Sequence, residues 1–312
     1  MPPRSELTDA PRPAPDTFPL PPTDLAARIG VAAGADPMRF YVDEGRRLRG
    51  VIDDLLPEGW NWAGKRVLDF GCGSARVLRH FGVEAAQGEF TGCDIDTSSI
   101  EWAADNMSPP FRFLRNGLRP PLELAVGSLD LVWAMSVFTH ITDAWSDWLV
   151  EMHRLLAPGG VLLASWLGEG MWEALLEEPY REDDVGVAVS RRWAGPDAWV
   201  FHSEWWLREH WGRGFEVERV LRPPRSAGGE AEVTHSYIAL RKRDVELTKE
   251  LLVLIDGREQ RELAGLQTGQ RLANRDIDYL AERLGKLTAP RRLQSGARRL
   301  RSLGSRLARK ID

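Results

Sequence analysis

Between residues 67 and 166, short apolar runs alternate with helically spaced segments, and this alternation constrains the fold more than any other feature of the chain. Residues 67–70 read as a buried strand and 76–81 as the helix after it. A second strand covers 90–94, followed by a helix over 98–106. A third strand covers 111–115, and a fourth, 129–135, leads into a helix over 145–156. Ala157-Pro158-Gly159-Gly160 stops that helix, since proline cannot continue it and glycine supplies a left-handed cap. Residues 161–166 are the fifth strand. Strands separated by helices pair in parallel through right-handed crossovers. Residues 215–221 and 234–240 are also strand-like, but a Pro/Gly-rich loop joins them, which reads as a hairpin. The predicted fold is a doubly wound α/β domain with a mostly parallel sheet and a terminal antiparallel hairpin.

Around this domain, assigned to residues 24–243, the text changes character. The first 23 residues are Pro-rich and predict a disordered N-terminus without the apolar core of a signal peptide. From about residue 24 to 56 the spacing is helical, with Leu48, Val51, Ile52, Leu55 and Leu56 in phase and Pro57-Glu58-Gly59 as the stop. Residues 244–290 are helical and charge-laced, with coiled-coil character. Leu247, Leu251 and Leu254, then Ala273, Ile277, Leu280, Leu284 and Leu287, step by threes and fours. Gly257, Gly265 and Gly269 interrupt them, predicting a helical hairpin or short segments instead of one rod. Residues 291–312 carry eight Lys/Arg against one acid and an apolar stripe, the pattern of a basic amphipathic tail. Such a tail suits an anionic membrane surface, an acidic partner, the chain's own acidic body, or plain solvation.

The net charge of -5 gives no reason to expect nucleic acid. The two cysteines, Cys72 and Cys93, lie in apolar strand-like text and read as buried hydrophobes of a cytoplasmic protein, not as a disulfide or metal site. No apolar run approaches the ~18 residues of a membrane span.

The first strand ends in Asp69-Phe70-Gly71-Cys72-Gly73-Ser74-Ala75. Glycines at a strand-to-helix turn let a ligand approach the backbone closely. About twenty residues on, at the tip of the second strand, Asp94 is placed to accept both hydroxyls of a ribose. The pair argues for an adenosine-containing ligand. A dinucleotide turn needs a small residue three places after its second glycine, where this chain has Arg76. Here an acid precedes the glycines by two, and the third small residue is Ala75.

That arrangement resembles the first motif of class I S-adenosylmethionine-dependent methyltransferases, of the type 11/12 kind. Thr91-Gly92-Cys93-Asp94-Ile95-Asp96 is similar to the family's second motif, and Leu129-Asp130-Leu131-Val132 and Arg154 to Gly160 are similar to later ones. The resemblance implies a seven-stranded sheet and S-adenosylmethionine as cofactor, with S-adenosylhomocysteine as product. It also implies roles. Gly71, Cys72, Gly73 and Ala75 lie against the methionine part, with Asp69 beneath it on the amino group. Asp94 holds the ribose and Ile95 presses on the adenine. Asn116, followed by Gly117, stands where the family often has an Asp for the adenine amine, and Ser136 borders the methyl group.

Methyl transfer to a hydroxyl requires an aligned acceptor and a base for its proton. His140, just after the fourth strand, is the first candidate base; His202 and Glu204 are weaker ones. Seven of thirteen tryptophans (166, 172, 193, 199, 205, 206 and 211) fall between the fifth and sixth strands, either stacking on an acceptor or packing the lid itself. The end of the fourth strand carries no Asp/Asn-Pro-Pro-aromatic sequence, the chain has no Pro-Cys pair, as nucleic-acid methylation would use, and no acidic cluster for a divalent metal stands out. The predicted activity is transfer to a hydroxyl of a glycan or small metabolite. The alternative is a non-catalytic sensor or scaffold that keeps the cofactor pocket. The inner face of a membrane is a second location, reached through 291–312.

Overall fold

A computed structural model of the chain describes residues 18–28, 35–191, 198–224 and 232–288. Its strands are β1 (Arg66–Phe70), β2 (Glu89–Asp94), β3 (Arg112–Arg115), β4 (Leu129–Ala134), β5 (Leu156–Trp166), β6 (Val187–Ser190), β7 (Trp199–His202), β8 (Phe215–Leu221) and β9 (Ser236–Lys242). Seven form one sheet in the order β3-β2-β1-β4-β5-β9-β8, and β6 pairs with β7 apart from it. Pairings from β3 through β5 are parallel, while β9 runs antiparallel to both β5 and β8. This is the predicted sheet with its terminal hairpin.

The helices are α1 (Thr23–Ala27), α2 (Pro37–Leu55), α3 (Thr97–Met107), α4 (Trp145–Leu155), α5 (Glu169–Leu176), α6 (Glu204–His210), α7 (Lys249–Val253) and α8 (Gln260–Thr288). They explain why the inner strands are mostly apolar on both faces. On β4, Val132 and Ala134 join one core cluster with Leu68 and Leu162, while Leu131 and Trp133 join another with Val67 and Leu163. A strand covered on both faces has no polar side to show.

Several expectations need correction. Residues 76–81 are not an α-helix but turns and one 3-10 stretch, Leu78–Phe81. Gly71, Gly73 and Ala75 have φ of 80, 53 and 64°, so left-handed residues interrupt the segment where a helical nucleus would form. The helical text from residue 24 divides in two, because Asp36 caps α2 afresh. Its carboxylate accepts from Met38 N at 2.8 Å, and Pro37 opens the helix. Strand β5 begins at Leu156, not at residue 161, since Leu156 already pairs with Leu129.

The largest revision concerns the C-terminal extension. Gly257 does separate α7 from α8, but Gly265 and Gly269 lie inside one continuous 29-residue helix. A Cβ on Gly265 would come within 2.8 Å of Gly186 N, so the missing side chain lets α8 press against the β6–β7 hairpin. Asp276 of α8 then accepts from Ser190 Oγ and Arg191 N, and Arg271 pairs with Glu178 at 2.8 Å. Ile277, Leu280 and Leu284 of the predicted stripe point outward and are exposed. Among the described residues, no helix is long and apolar enough to cross a membrane. The predicted N-terminal segment up to residue 17 and the basic tail 291–312 lie outside them.

Candidate cofactor and active site

Strand order reverses between β1 and β4, which opens a crevice at their carboxyl ends. The glycine turn fills its floor. Gly71 N and Cys72 N both donate to Cys93 O, at 2.8 and 3.0 Å, tying the turn to β2. A Cβ on Gly71 would meet Val137 Cγ2 at 2.3 Å, whereas one on Gly73 would meet nothing within 4 Å. Gly71 is thus glycine for packing, and Gly73 faces open space.

Asp94 braces this turn. Its Oδ2 accepts from Gly73 N and its Oδ1 from Asp96 N, each at 2.8 Å. Each carboxylate oxygen keeps a second lone pair for a ribose hydroxyl. Asp69 lies beneath, 2% exposed, with Oδ2 lacking any hydrogen-bond partner. Burial pushes its pKa up to about 7; Asp94 adds to the shift, while Trp133 and Arg76 pull it partly back. A carboxyl so placed gains most from a cation, which matches the ammonium of a methionine moiety. Asn116 donates from Nδ2 to Gly117 O at 2.9 Å and leaves Oδ1 buried with no partner. That orphaned acceptor fits an exocyclic amine. Ile95 is exposed beyond it, and Ser136, with φ 62°, donates its N–H to Ser165 Oγ at 2.7 Å.

The side chains of Cys72 and Ala75, two of the predicted contacts, are both buried. The Cys72 Sγ lies where a Cβ on Gly92 would meet it at 2.8 Å, so its side chain packs against the sheet. Burial pushes both cysteine thiols up, keeping them neutral. Ala75 is fully buried, and its part in the turn is its left-handed conformation.

Helix α2 covers the turn from above. Tyr41 Oη donates to Ser74 O at 2.6 Å, and a Cβ on Gly45 would strike Arg76 O at 2.4 Å. Arg76 was read in the sequence only as a misfit to dinucleotide turns. It is half-buried, and burial lowers its pKa against the charges of Glu44 and Asp69. His235 was not singled out at all; it lies within the run 234–240 read as a strand, and the structure puts it just before β9. Its Nε2 is inaccessible and without a hydrogen-bond partner, and burial pushes its pKa down to about 4, with Glu44, Arg47, His140 and Arg76 also acting on it.

The three base candidates separate. His140 is exposed, with Nδ1 3.3 Å from Ala198 O and its ring 5.1 Å from Trp199. His202 is fully buried, with both ring nitrogens unpartnered and its pKa pushed down to about 3 by burial. It is a neutral packing residue against Trp206 and Trp211. Burial raises Glu204, but hydrogen bonds from Arg208 and Arg222 outweigh it and hold the carboxyl below its usual range. Of the clustered tryptophans, Trp166, Trp172, Trp205, Trp206 and Trp211 are buried in the core, Trp199 is half-buried, and Trp193 lies outside the described residues.

A crevice at a switch point, a braced glycine turn and two orphaned polar atoms define a nucleoside-binding α/β domain. Comparison with known proteins adds a domain match. Residues 67–160 match the model described as a methyltransferase domain. The chain is 28% identical over 138 residues to the ubiquinone biosynthesis O-methyltransferase of Psychrobacter cryohalolentis, covering 42% of this chain and 52% of that one. It is 26% identical over 168 residues to the malonyl-[acyl-carrier protein] O-methyltransferase of Enterobacter lignolyticus, covering 52% and 64%. The chain therefore spans about half to two thirds of the length of these curated relatives. A crystal structure from Listeria monocytogenes, assigned to the S-adenosylmethionine-dependent methyltransferases, superposes with a TM-score of 0.50. At 16% identity it covers 65% of this chain and 100% of that one, and it bears on the fold. The chain carries a class I S-adenosylmethionine-dependent methyltransferase domain.

Proposed function

We propose that the protein transfers a methyl group from S-adenosylmethionine to a hydroxyl of a glycan or small metabolite. The observation that carries this reading is the trio of unmet groups along one edge: Asp69 Oδ2, the open face of Gly73 and Asn116 Oδ1. They match, in order, an ammonium, a close-approaching chain and an adenine amine. When bound, the cofactor supplies a sulfonium whose methyl carbon leaves sulfur for the acceptor oxygen, giving S-adenosylhomocysteine and releasing the hydroxyl proton.

The chain's own part is to hold and align. Asp94 both fixes the glycine turn and accepts from the ribose, Ile95 covers the adenine, and Gly117 lets the chain turn after Asn116. Ser136 ends β4 beside the site of transfer. His140, exposed after β4, is the proposed proton acceptor. Calorimetry with S-adenosylhomocysteine and turnover of methyl-labelled cofactor test the reading together. Binding of S-adenosylhomocysteine without methylation of any hydroxylated acceptor would make the protein a sensor; no binding would overturn the site. His140→Gln is expected to lower kcat at least tenfold with cofactor affinity unchanged, and an unaltered kcat removes its role.

A further inference from the structure

The carboxyl edge of the sheet holds a second concavity. A cavity of about 220 Å³ opens where β5 and β8 end and β9 begins. Neighbouring strands lie about 4.8 Å apart, and β5 is next to β4, which ends at the proposed transfer site. The cavity is thus one to two strand spacings from it, on the side away from the adenine end. Its size is below the ~300–1,000 Å³ of sites for drug-sized ligands, which suits one ring and excludes a folded peptide.

Two polar groups stand on its wall. Ser236, 4% exposed, and Trp166, 2% exposed, both line it, the one with a hydroxyl and the other with an indole N–H. Gly168 leaves both within reach, since a Cβ there would sit 3.2 Å from Trp166 Nε1 and 3.3 Å from Ser236 Oγ. A hydroxyl that donates and accepts and an indole N–H that donates suit a hydroxylated ligand.

The charged lining is one-sided: Glu169, Glu182 and Glu204 against Arg222. Glu204 is matched, with Arg222 at 2.6 Å and Arg208 at 2.7 Å. Glu182 takes its hydrogen bonds from neutral donors, the Tyr180 hydroxyl at 2.8 Å and Trp205 N at 3.1 Å, and Arg222, whose guanidinium is bonded to Glu204, acts on it only through its charge. Burial and the neighbouring Glu182 push the Tyr180 phenol far up, leaving it a fixed donor to that carboxylate.

We propose, resting on the methyltransferase reading above, that this cavity receives the acceptor and selects a single hydroxylated ring bearing an amine, with Glu182 facing the ammonium. An anionic acceptor meets a surplus of carboxylates there, and a long lipid meets too small a space.

Glucosamine, glucose and glucuronate carry one skeleton at three charges and serve as probes. Each is titrated by saturation-transfer NMR into the full chain loaded with S-adenosylhomocysteine. Glucosamine is expected to bind about tenfold tighter than glucose, the scale of one partly buried charge pair, and glucuronate most weakly. Glu182→Gln should erase the amine preference, and Gly168→Val should abolish binding of all three sugars. Both variants should keep the wild-type affinity for S-adenosylhomocysteine, which also reports that they fold. Equal or tighter binding of glucuronate, no binding of any sugar, or an amine preference that survives Glu182→Gln overturns the proposal. Failure of the wild-type chain to bind S-adenosylhomocysteine overturns the underlying reading instead.

Discussion

The two halves of the sheet's carboxyl edge are built differently. At β1 and β2, the groups facing the crevice are backbone and short acids within a few residues of a strand end. Asp94 holds Gly73, Cys93 O holds Gly71 and Cys72, and no long side chain is needed. At β5 and β9, the cavity wall comes from distant segments: Trp166, Tyr180, Glu182, Glu204, Arg222 and Ser236. Hydrogen bonds and ion pairs between side chains hold several of them in place. A common donor is met by local geometry, and acceptor choice is left to long-range assembly.

Substitutions can break or sharpen that contrast. The largest effect is expected from Asp94→Ala, which removes the brace of Gly73 and the ribose acceptor together. S-adenosylhomocysteine affinity should fall about 10²-fold or more, from two charge-assisted hydrogen bonds of ~1.5–3 kcal/mol each. A Kd within threefold of wild type would dissociate the turn from the cofactor. Next, Gly71→Ala must place a Cβ at φ 80° and 2.3 Å from Val137 Cγ2, costing about 2 kcal/mol in denaturant unfolding. Gly159→Ala, at φ 72° with open space around it, should cost only about 1 kcal/mol. Equal losses would show that crowding at the cofactor turn is relieved cheaply.

Asp69 gives a pH signature of intermediate size. Its folded pKa of about 7 lies above the unfolded value of about 3.9, so the folded apoprotein holds the extra proton between them. Its contribution therefore makes stability fall as pH rises from about 4 to about 7 and level off above. A bound ammonium needs the carboxylate form, so S-adenosylhomocysteine should bind about tenfold tighter at pH 8 than at pH 6 with a pKa of about 7. Methylthioadenosine, which lacks the amino acid part, should show no such slope, and Asp69→Asn should flatten the first curve. A slope shared by both ligands would point elsewhere. The smallest effect on the cofactor half is expected from Gly265→Val. It should loosen α8 from the hairpin, exposing residues 260–288 to protease while the Kd for S-adenosylhomocysteine stays within twofold.

Legibility in the sequence follows the same division. The sheet and the residues of the turn could be read because strand periodicity, glycine placement and acids at strand tips are local signals. The helix expected over 76–81 failed because nothing in the text announced a left-handed Ala75. Gly265 and Gly269 were read as breaks, whereas both lie within α8, and tertiary contact with Gly186 explains the first. The β6–β7 hairpin, His235 and the acidic cavity were invisible for a related reason. Each depends on segments far apart in the chain that become neighbours only once the sheet has formed, and lone Glu and Tyr residues carry no spacing that marks a pocket. Of the two readings left open for the tryptophan cluster, packing describes the five members that are buried.

The contact of α2 with the turn has a kinetic consequence. Tyr41 reaches the Ser74 carbonyl, and Gly45 rests on Arg76, so a helix that precedes the sheet in the chain sits over the site where the cofactor's amino acid end is placed. On the proposed placement of the cofactor, that helix borders the route by which product would leave. Turnover is then expected to be timed by how often α2 lifts, and Tyr41→Phe, which removes one latch without touching the crevice floor, should speed release in stopped-flow displacement more than it weakens equilibrium binding.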